Sequence, residues 1–311
     1  MTYELAGKRV WVAGHRGMVG AALLRRLERE SCTILAVDRA ALDLRRQPDV
    51  EAWLAANRPD AVFVAAAKVG GIQANAASPA EFLYDNLAIA ANVINGAAKA
   101  NVSKLLFLGA GCVYPRLAPQ PMSEDSLFQG PPEPTNESYT VAKIAGIKLC
   151  QSYQQQYGCD FISVVPANLY GPGDRFDIQS GHVVAGLIQR SHEAKLAGAP
   201  ELPIWGTGQA RREFMHVDDC ADALVFLMKN YSDERLINVG TGQELSIGEL
   251  ARKVCNTVGY RGALSFDTTK PDGMPRKLLD SSRVFGLGWR PKIGFDDGLA
   301  ETYRWFLDRG R

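Results

Sequence analysis

Tyr139 and Lys143 stand four residues apart near the start of a segment of helical period, a spacing that puts a phenol and an ammonium on one helix face and into one cleft. A phenol titrates near pH ~10 in isolation, and a neighbouring ammonium favours its ionised form, so the pair could exchange a proton with a substrate oxygen near neutrality. Upstream, Leu105-Leu106-Phe107-Leu108 reads as a buried strand and runs into Gly109-Ala110-Gly111-Cys112. Ala110 has no hydroxyl to donate to a developing alkoxide. The absence of one such donor costs roughly 2.7–4 kcal/mol, on the order of 100- to 1000-fold in rate.

The elements that must hold these groups begin with Val10-Trp11-Val12-Ala13-Gly14-His15-Arg16-Gly17-Met18-Val19-Gly20, an apolar strand, a glycine turn and a helix start. Glycines three apart let backbone amides approach a pyrophosphate at a helix N-terminus, and the last permits close helix–sheet packing. The spacing fits the extended short-chain dehydrogenase pattern, in which the group following the fourth strand is normally serine or threonine. Asp38-Arg39 ends the second strand, where ribose selection occurs. Asp38 would accept from ribose hydroxyls and favour NAD, whereas Arg16 and Arg39 would pair with a 2′-phosphate; the two arginines tilt the balance toward NADP.

Short apolar runs at 9–13, 33–37, 61–67, 104–108 and 161–165 alternate with helical segments, the rhythm of a parallel sheet flanked by helices. The expected fold class is α/β: a Rossmann-type, doubly wound parallel sheet with a smaller, discontinuous C-terminal α/β substrate lobe. Residues 1–170 with about 214–240 would form the dinucleotide-binding domain, and 171–213 with 241–311 the substrate lobe. Two long helices, 79–100 and 137–157, carry apolar residues that would serve a partner subunit as well as the sheet. Between them, 114–135 is rich in proline and reads as an ordered loop over the carboxyl edge of the sheet, where a substrate would lie.

Composition excludes several classes. Thirty-five basic and 34 acidic residues in 311 leave a formal net charge of +1, with no charge block to suggest nucleic acid. Six scattered cysteines, Cys32, Cys112, Cys150, Cys159, Cys220 and Cys255, have neither the spacing of a zinc site nor that of a disulfide framework, so no metal is expected. No signal peptide or spanning segment is recognisable, which points away from the membrane and to the cytoplasm.

The chain resembles the GDP-L-fucose synthase family of the extended short-chain dehydrogenase superfamily over nearly its whole length. The resemblance is carried by the glycine turn and by residues 65–72, Cys112-Val113-Tyr114-Pro115, 133–137, 142–146, Asn168-Leu169-Tyr170-Gly171-Pro172, 212–219 and 270–277. It implies a soluble homodimer that binds NADP(H) and GDP-4-keto-6-deoxy-D-mannose, epimerises carbons 3 and 5, and reduces carbon 4. Cys112 and His182 match the epimerisation acid–base pair, and Tyr139 protonates the carbon 4 oxygen beside Lys143. Ala110 departs from the family's serine and puts reductive turnover in doubt. Gly14, Arg16, Gly17, Met18, Val19, Gly20, Arg39, Asp43, Leu44, Ala66, Lys143, Asn168, Leu169 and His182 fall at cofactor positions; Arg190, Trp205, Arg212 and Lys277 fall at those contacting GDP. His216 is expected to be structural. Two other readings stay open: a same-fold nucleotide-sugar epimerase or dehydratase that recycles its cofactor, against which Cys112 with His182 argues, and a non-catalytic nucleotide-sugar binding module, which Ala110 keeps in view.

Overall fold

The computed structural model describes residues 2–177, 181–270 and 272–308, apart from the Ile72 side chain; Ser180 beside His182, Pro271 of the 270–277 segment and residues 309–311 lie outside the described residues. In chain order the elements are β1 (Arg9–Ala13), α1 (Met18–Leu27), β2 (Thr33–Leu35), α2 (Gln47–Asn57), β3 (Ala61–Val64), α3 (Ile72–Ala77), α4 (Pro79–Lys99), β4 (Lys104–Leu108), α5 (Glu137–Tyr157), β5 (Asp160–Pro166) and β6 (Asn168–Tyr170). There follow α6 (Val183–Leu196), β7 (Glu201–Trp205), β8 (Arg211–His216), α7 (Val217–Asn230), β9 (Ile237–Val239), β10 (Glu244–Ser246), α8 (Ile247–Val258), β11 (Ala263–Asp267), β12 (Arg276–Lys277), α9 (Ser282–Gly286) and α10 (Phe295–Asp308).

Six strands form a parallel sheet in the order β2-β1-β3-β4-β5-β9. Strands β3 and β4 are buried at every residue, as strands covered on both faces must be, and their near-continuous apolar sequences follow from that. Helices α1 and α7 pack together, as do α2, α4 and α5, flanking the sheet as two groups. Edge strand β2 stops at Leu35, two residues short of the apolar run that predicted it.

A second set of buried side chains, among them Ile188, Leu202, Phe214, Leu250, Val254 and Leu299, packs α6, α8 and α10 against β7 and β8. Here β8 lies between β10 and β12 and also pairs with β6, while β11 pairs with β7. Helix α8 starts with a capping box: Ser246 Oγ accepts the Glu249 N–H, and the Glu249 carboxylate accepts the Ser246 N–H. Leu279, Val284 and Trp289 pack with the six-stranded sheet although they lie late in the chain, so the chain crosses between the two cores again after β12.

Two contacts fix the height of the sheet's carboxyl edge. A Cβ at Gly146 would lie 2.3 Å from the Phe107 ring, so only glycine lets α5 rest this closely on β4. The 114–135 loop is clamped to β9 by Asn238, whose side chain accepts from Tyr114 Oη at 2.5 Å and donates to the Met122 and Asp280 carbonyls. Among the described residues no helix is long and apolar enough to cross a membrane.

Candidate active site

The glycine turn after β1 forms an open cradle. Gly14 has φ of 88°, and a Cβ there would lie 2.6 Å from Ala66 backbone atoms; one at Gly20 would lie 2.1 Å from the Gly14 carbonyl oxygen. Gly17 precedes α1 without a side-chain cap, leaving the first-turn amides of Met18, Val19 and Gly20 for an anion from outside the chain. These residues fit a dinucleotide pyrophosphate. Beyond the turn, the Asp38 carboxylate lies 3.4 Å from the Arg16 guanidinium and 3.3 Å from His15 Nε2, while Arg39 is exposed. An Asp38 already engaged by Arg16, beside an exposed Arg39, matches a 2′-phosphate better than a bare ribose diol.

The other expected cofactor residues surround this edge. Asp43 is pushed down to about 2, chiefly by hydrogen bonds from Arg45, which also reaches Asp85 on α4 at 3.0 Å; the Asp43 carboxylate is thus already paired. Leu44 accepts a hydrogen bond from Asn92 through its carbonyl. Asn168 and Leu169 lie on β6 beside Phe214 and Met215, and Asn168 donates to the Glu213 carbonyl.

Tyr139 and Lys143 open α5 beside the short turn that carries Cys112 after β4. Thr140 Oγ1 donates to the Cys112 carbonyl at 3.3 Å, tying that turn to α5. Lys143 Nζ donates to the Leu108 carbonyl at 2.7 Å and sits 5.8 Å from the Tyr139 ring centroid. Burial lowers the Lys143 ammonium to about 8, opposed by the neighbouring Cys112. The phenol behaves otherwise than its spacing suggests: burial and then Cys112 push Tyr139 well above its ordinary range. Tyr139 therefore holds its proton and is suited to donate it.

Lys277 enters the same pocket from β12. Its Nζ would be 3.6 Å from a Cβ on Gly111, and burial depresses its ammonium while Cys112 opposes the shift. Ala110 has extended backbone angles, φ −156° and ψ 147°, and its methyl group is half-buried between the end of β4 and Cys112. Tyr139, Lys143, Cys112 and Lys277 are therefore gathered at one strand end, with Ala110 beside them. His182 precedes α6 and makes no hydrogen bond to the first three among the described residues; its Nδ1 lies 2.9 Å from Asp174 Oδ1.

The remaining expected substrate residues lie on the second core. Arg212 is in register with Lys277 on the paired strands, and burial lowers its guanidinium, opposed by Asp272. Trp205 ends β7, 56% exposed, with Lys270 Nζ 5.9 Å from its ring centroid, and Arg190 on α6 donates to the Pro203 carbonyl on the same strand. An exposed indole and the basic groups Arg190, Arg212 and Lys277 have the chemistry suited to a base and a diphosphate. His216 is buried, caps α7 by accepting the Asp218 N–H, and is lowered by burial, in keeping with a structural place. No group of three or more His, Cys, Asp or Glu among the described residues could hold a metal ion.

Three residues whose contacts tie this region together escape the sequence reading. Thr140 adjoins the tyrosine, a signal that could have been used. Asp174 sits in a glycine turn eight residues before His182. Glu213, buried on β8, accepts the N–H groups of Thr241, Gly242 and Leu279 at 2.7, 2.8 and 3.0 Å, holding two distant loops under the site.

Residues 10–240 match the model of a family described as NAD dependent epimerase/dehydratase. The chain is 55% identical over 305 residues to the GDP-L-fucose synthase of Sinorhizobium fredii, covering 98% of this chain and 97% of that one. Among solved structures, a GDP-6-OMe-4-keto-L-xylo-heptose reductase from C. jejuni superposes with a TM-score of 0.92 at 36% identity, covering 99% of each chain. A GDP-L-fucose synthetase from Naegleria fowleri bound to NADP gives 0.91 at 28% identity, covering 99% of this chain and 97% of that one.

Proposed function

Because the chain belongs to the NAD dependent epimerase/dehydratase family, we propose that it converts GDP-4-keto-6-deoxy-D-mannose to GDP-L-fucose by 3,5-epimerisation and NADPH-dependent reduction at carbon 4. The observation that carries this reading is the gathering of Tyr139, Lys143 and Cys112 at the end of β4, in a chain 55% identical to a GDP-L-fucose synthase. Cys112 takes a proton from the carbon next to the ketone, and the electron pair moves into the enolate. His182 returns a proton to the opposite face. The reduced nicotinamide, when bound, supplies the reducing equivalent for carbon 4. Tyr139 gives its proton to the carbon 4 oxygen, and Lys143 holds the cofactor ribose. Arg190, Trp205, Arg212 and Lys277 form the GDP side of the cleft.

The two cores support two lobes, 1–170 with about 214–240 and 171–213 with 241–311. A homodimer built on α4 and α5 is supported by the exposed Tyr84 and Val141 on those helices. A cytoplasmic site of action agrees with reduced cysteines and this substrate class. A heptose-type 4-keto sugar is the second reading, favoured by the C. jejuni reductase.

The test is incubation with GDP-4-keto-6-deoxymannose in deuterated water, with and without NADPH. Deuterium is expected at carbons 3 and 5 without NADPH, and GDP-L-fucose with it; reduction with no prior exchange would favour the heptose-type reading. The lowered Lys143 gives a second expectation. Its ammonium is the form that pairs with an anionic dinucleotide, so NADPH affinity should weaken as pH rises through about 8, by at most about tenfold per pH unit. Titration calorimetry between pH 7 and 9.5 reads this, and Lys143→Met should flatten the slope.

A further inference from the structure

We propose that Asp174 is a positioning residue for proton delivery by His182, fixing the imidazole's tautomer and sustaining its protonated form; this rests on the epimerase reading above. The carboxylate is built in rather than incidental. Its side chain is 3% exposed, on a turn where Gly171 and Gly173 both have positive φ. That turn lies against α1, since a Cβ on Gly173 would be 3.5 Å from the Met18 Cα. Oδ1 accepts the Arg175 N–H at 2.8 Å and faces His182 Nδ1 at 2.9 Å, while Oδ2 is buried with no hydrogen-bond partner among the described residues. Burying a carboxylate with one oxygen unsatisfied is costly unless its charge is used.

The geometry sets the chemistry at the ring. With Nδ1–H donating to Asp174, the neutral imidazole presents a bare Nε2 and the imidazolium presents Nε2–H; Nε2 has no hydrogen-bond partner among the described residues. The ring is half exposed at the head of α6, whose first turn carries no acidic residue. The charged groups acting on it are Asp174, which raises it, and Arg175, which opposes. In the exchange step Cys112 ends as a thiol and His182 as a neutral imidazole, with one proton gained by one and one lost by the other and no change of oxidation state. The Asp174 contact at Nδ1 supports the acid form before transfer and the tautomer after it.

Asp174→Asn tests this, because an amide oxygen can still accept from Arg175 and His182 while the charge is gone. Two measurements are made: NMR titration of the histidine rings, with His182 assigned by loss of its signal in His182→Gln, and the pH profile of deuterium uptake by the keto sugar. The His182 midpoint should move to more acidic pH, and the alkaline limb of uptake should move with it, lowering kcat for exchange by about tenfold or more above neutrality with KM unchanged. Asp174→Glu should restore part of the limb. An unmoved His182 midpoint, or a uniform loss at every pH with KM raised, would overturn the proposal. Ring titration needs no sugar: wild-type protein that fails to exchange deuterium, yet shows the shifted midpoint, would refute the epimerase reading and still support the Asp174–His182 pair.

Discussion

Ala110→Ser is expected to raise the rate of NADPH-dependent reduction at least about tenfold, and up to the order of 100- to 1000-fold that one alkoxide donor is worth. The backbone at 110 is extended, a conformation serine adopts freely, and its carbonyl is held by the Val113 N–H, so a hydroxyl is added without rearranging the turn. Deuterium exchange should rise as well, because the enolate formed by proton removal also places negative charge on the carbon 4 oxygen. Single-turnover loss of NADPH fluorescence, measured beside deuterium uptake, separates the two steps. An unchanged reduction rate would mean that another group already polarises the carbonyl. Lys277 is the group to examine, since its Nζ would lie 3.6 Å from a Cβ on Gly111, next to Ala110. A Lys277→Met variant rescued by Ala110→Ser would identify it.

How far the sequence foretells this site depends on the range of the interaction. The sheet was legible because parallel strands covered on both faces leave unbroken apolar runs, and β1, β4 and α5 have the bounds that periodicity predicts. The glycine cradle was legible for the same reason of local geometry: strand, turn and helix lie within a dozen residues. Tyr139 and Lys143 share a face because four residues make about one helical turn. What spacing could not supply was the surroundings of the phenol, where burial and then Cys112 raise it, opposite to the expected direction. Nor could it supply Glu213, whose partners at 241, 242 and 279 meet only after the chain has crossed between the two cores. Asp174 was hidden differently. A carboxylate in a glycine turn reads as a solvated turn residue until its burial is known.

Tyr139→Phe is expected to lower reduction by about 10²- to 10⁴-fold, the range of a positioned general acid, while leaving deuterium exchange within a few-fold of wild type. The reversed shift gives this prediction its form. A phenol held above its ordinary range by burial and by Cys112 carries its proton across the whole physiological pH range, so it can serve only as a donor in the reductive direction. Phenylalanine keeps the ring, and with it the edge contact to Phe82 at 6.4 Å between centroids, so the loss is chemical rather than structural. Cys112 keeps its place through the Thr140 hydroxyl, which the substitution does not touch. Parallel loss of exchange and reduction in Tyr139→Phe would show that the phenol also takes part in proton abstraction. Loss of reduction alone would divide the labour as the pocket does, with the thiol acting at the carbon and the phenol at the oxygen.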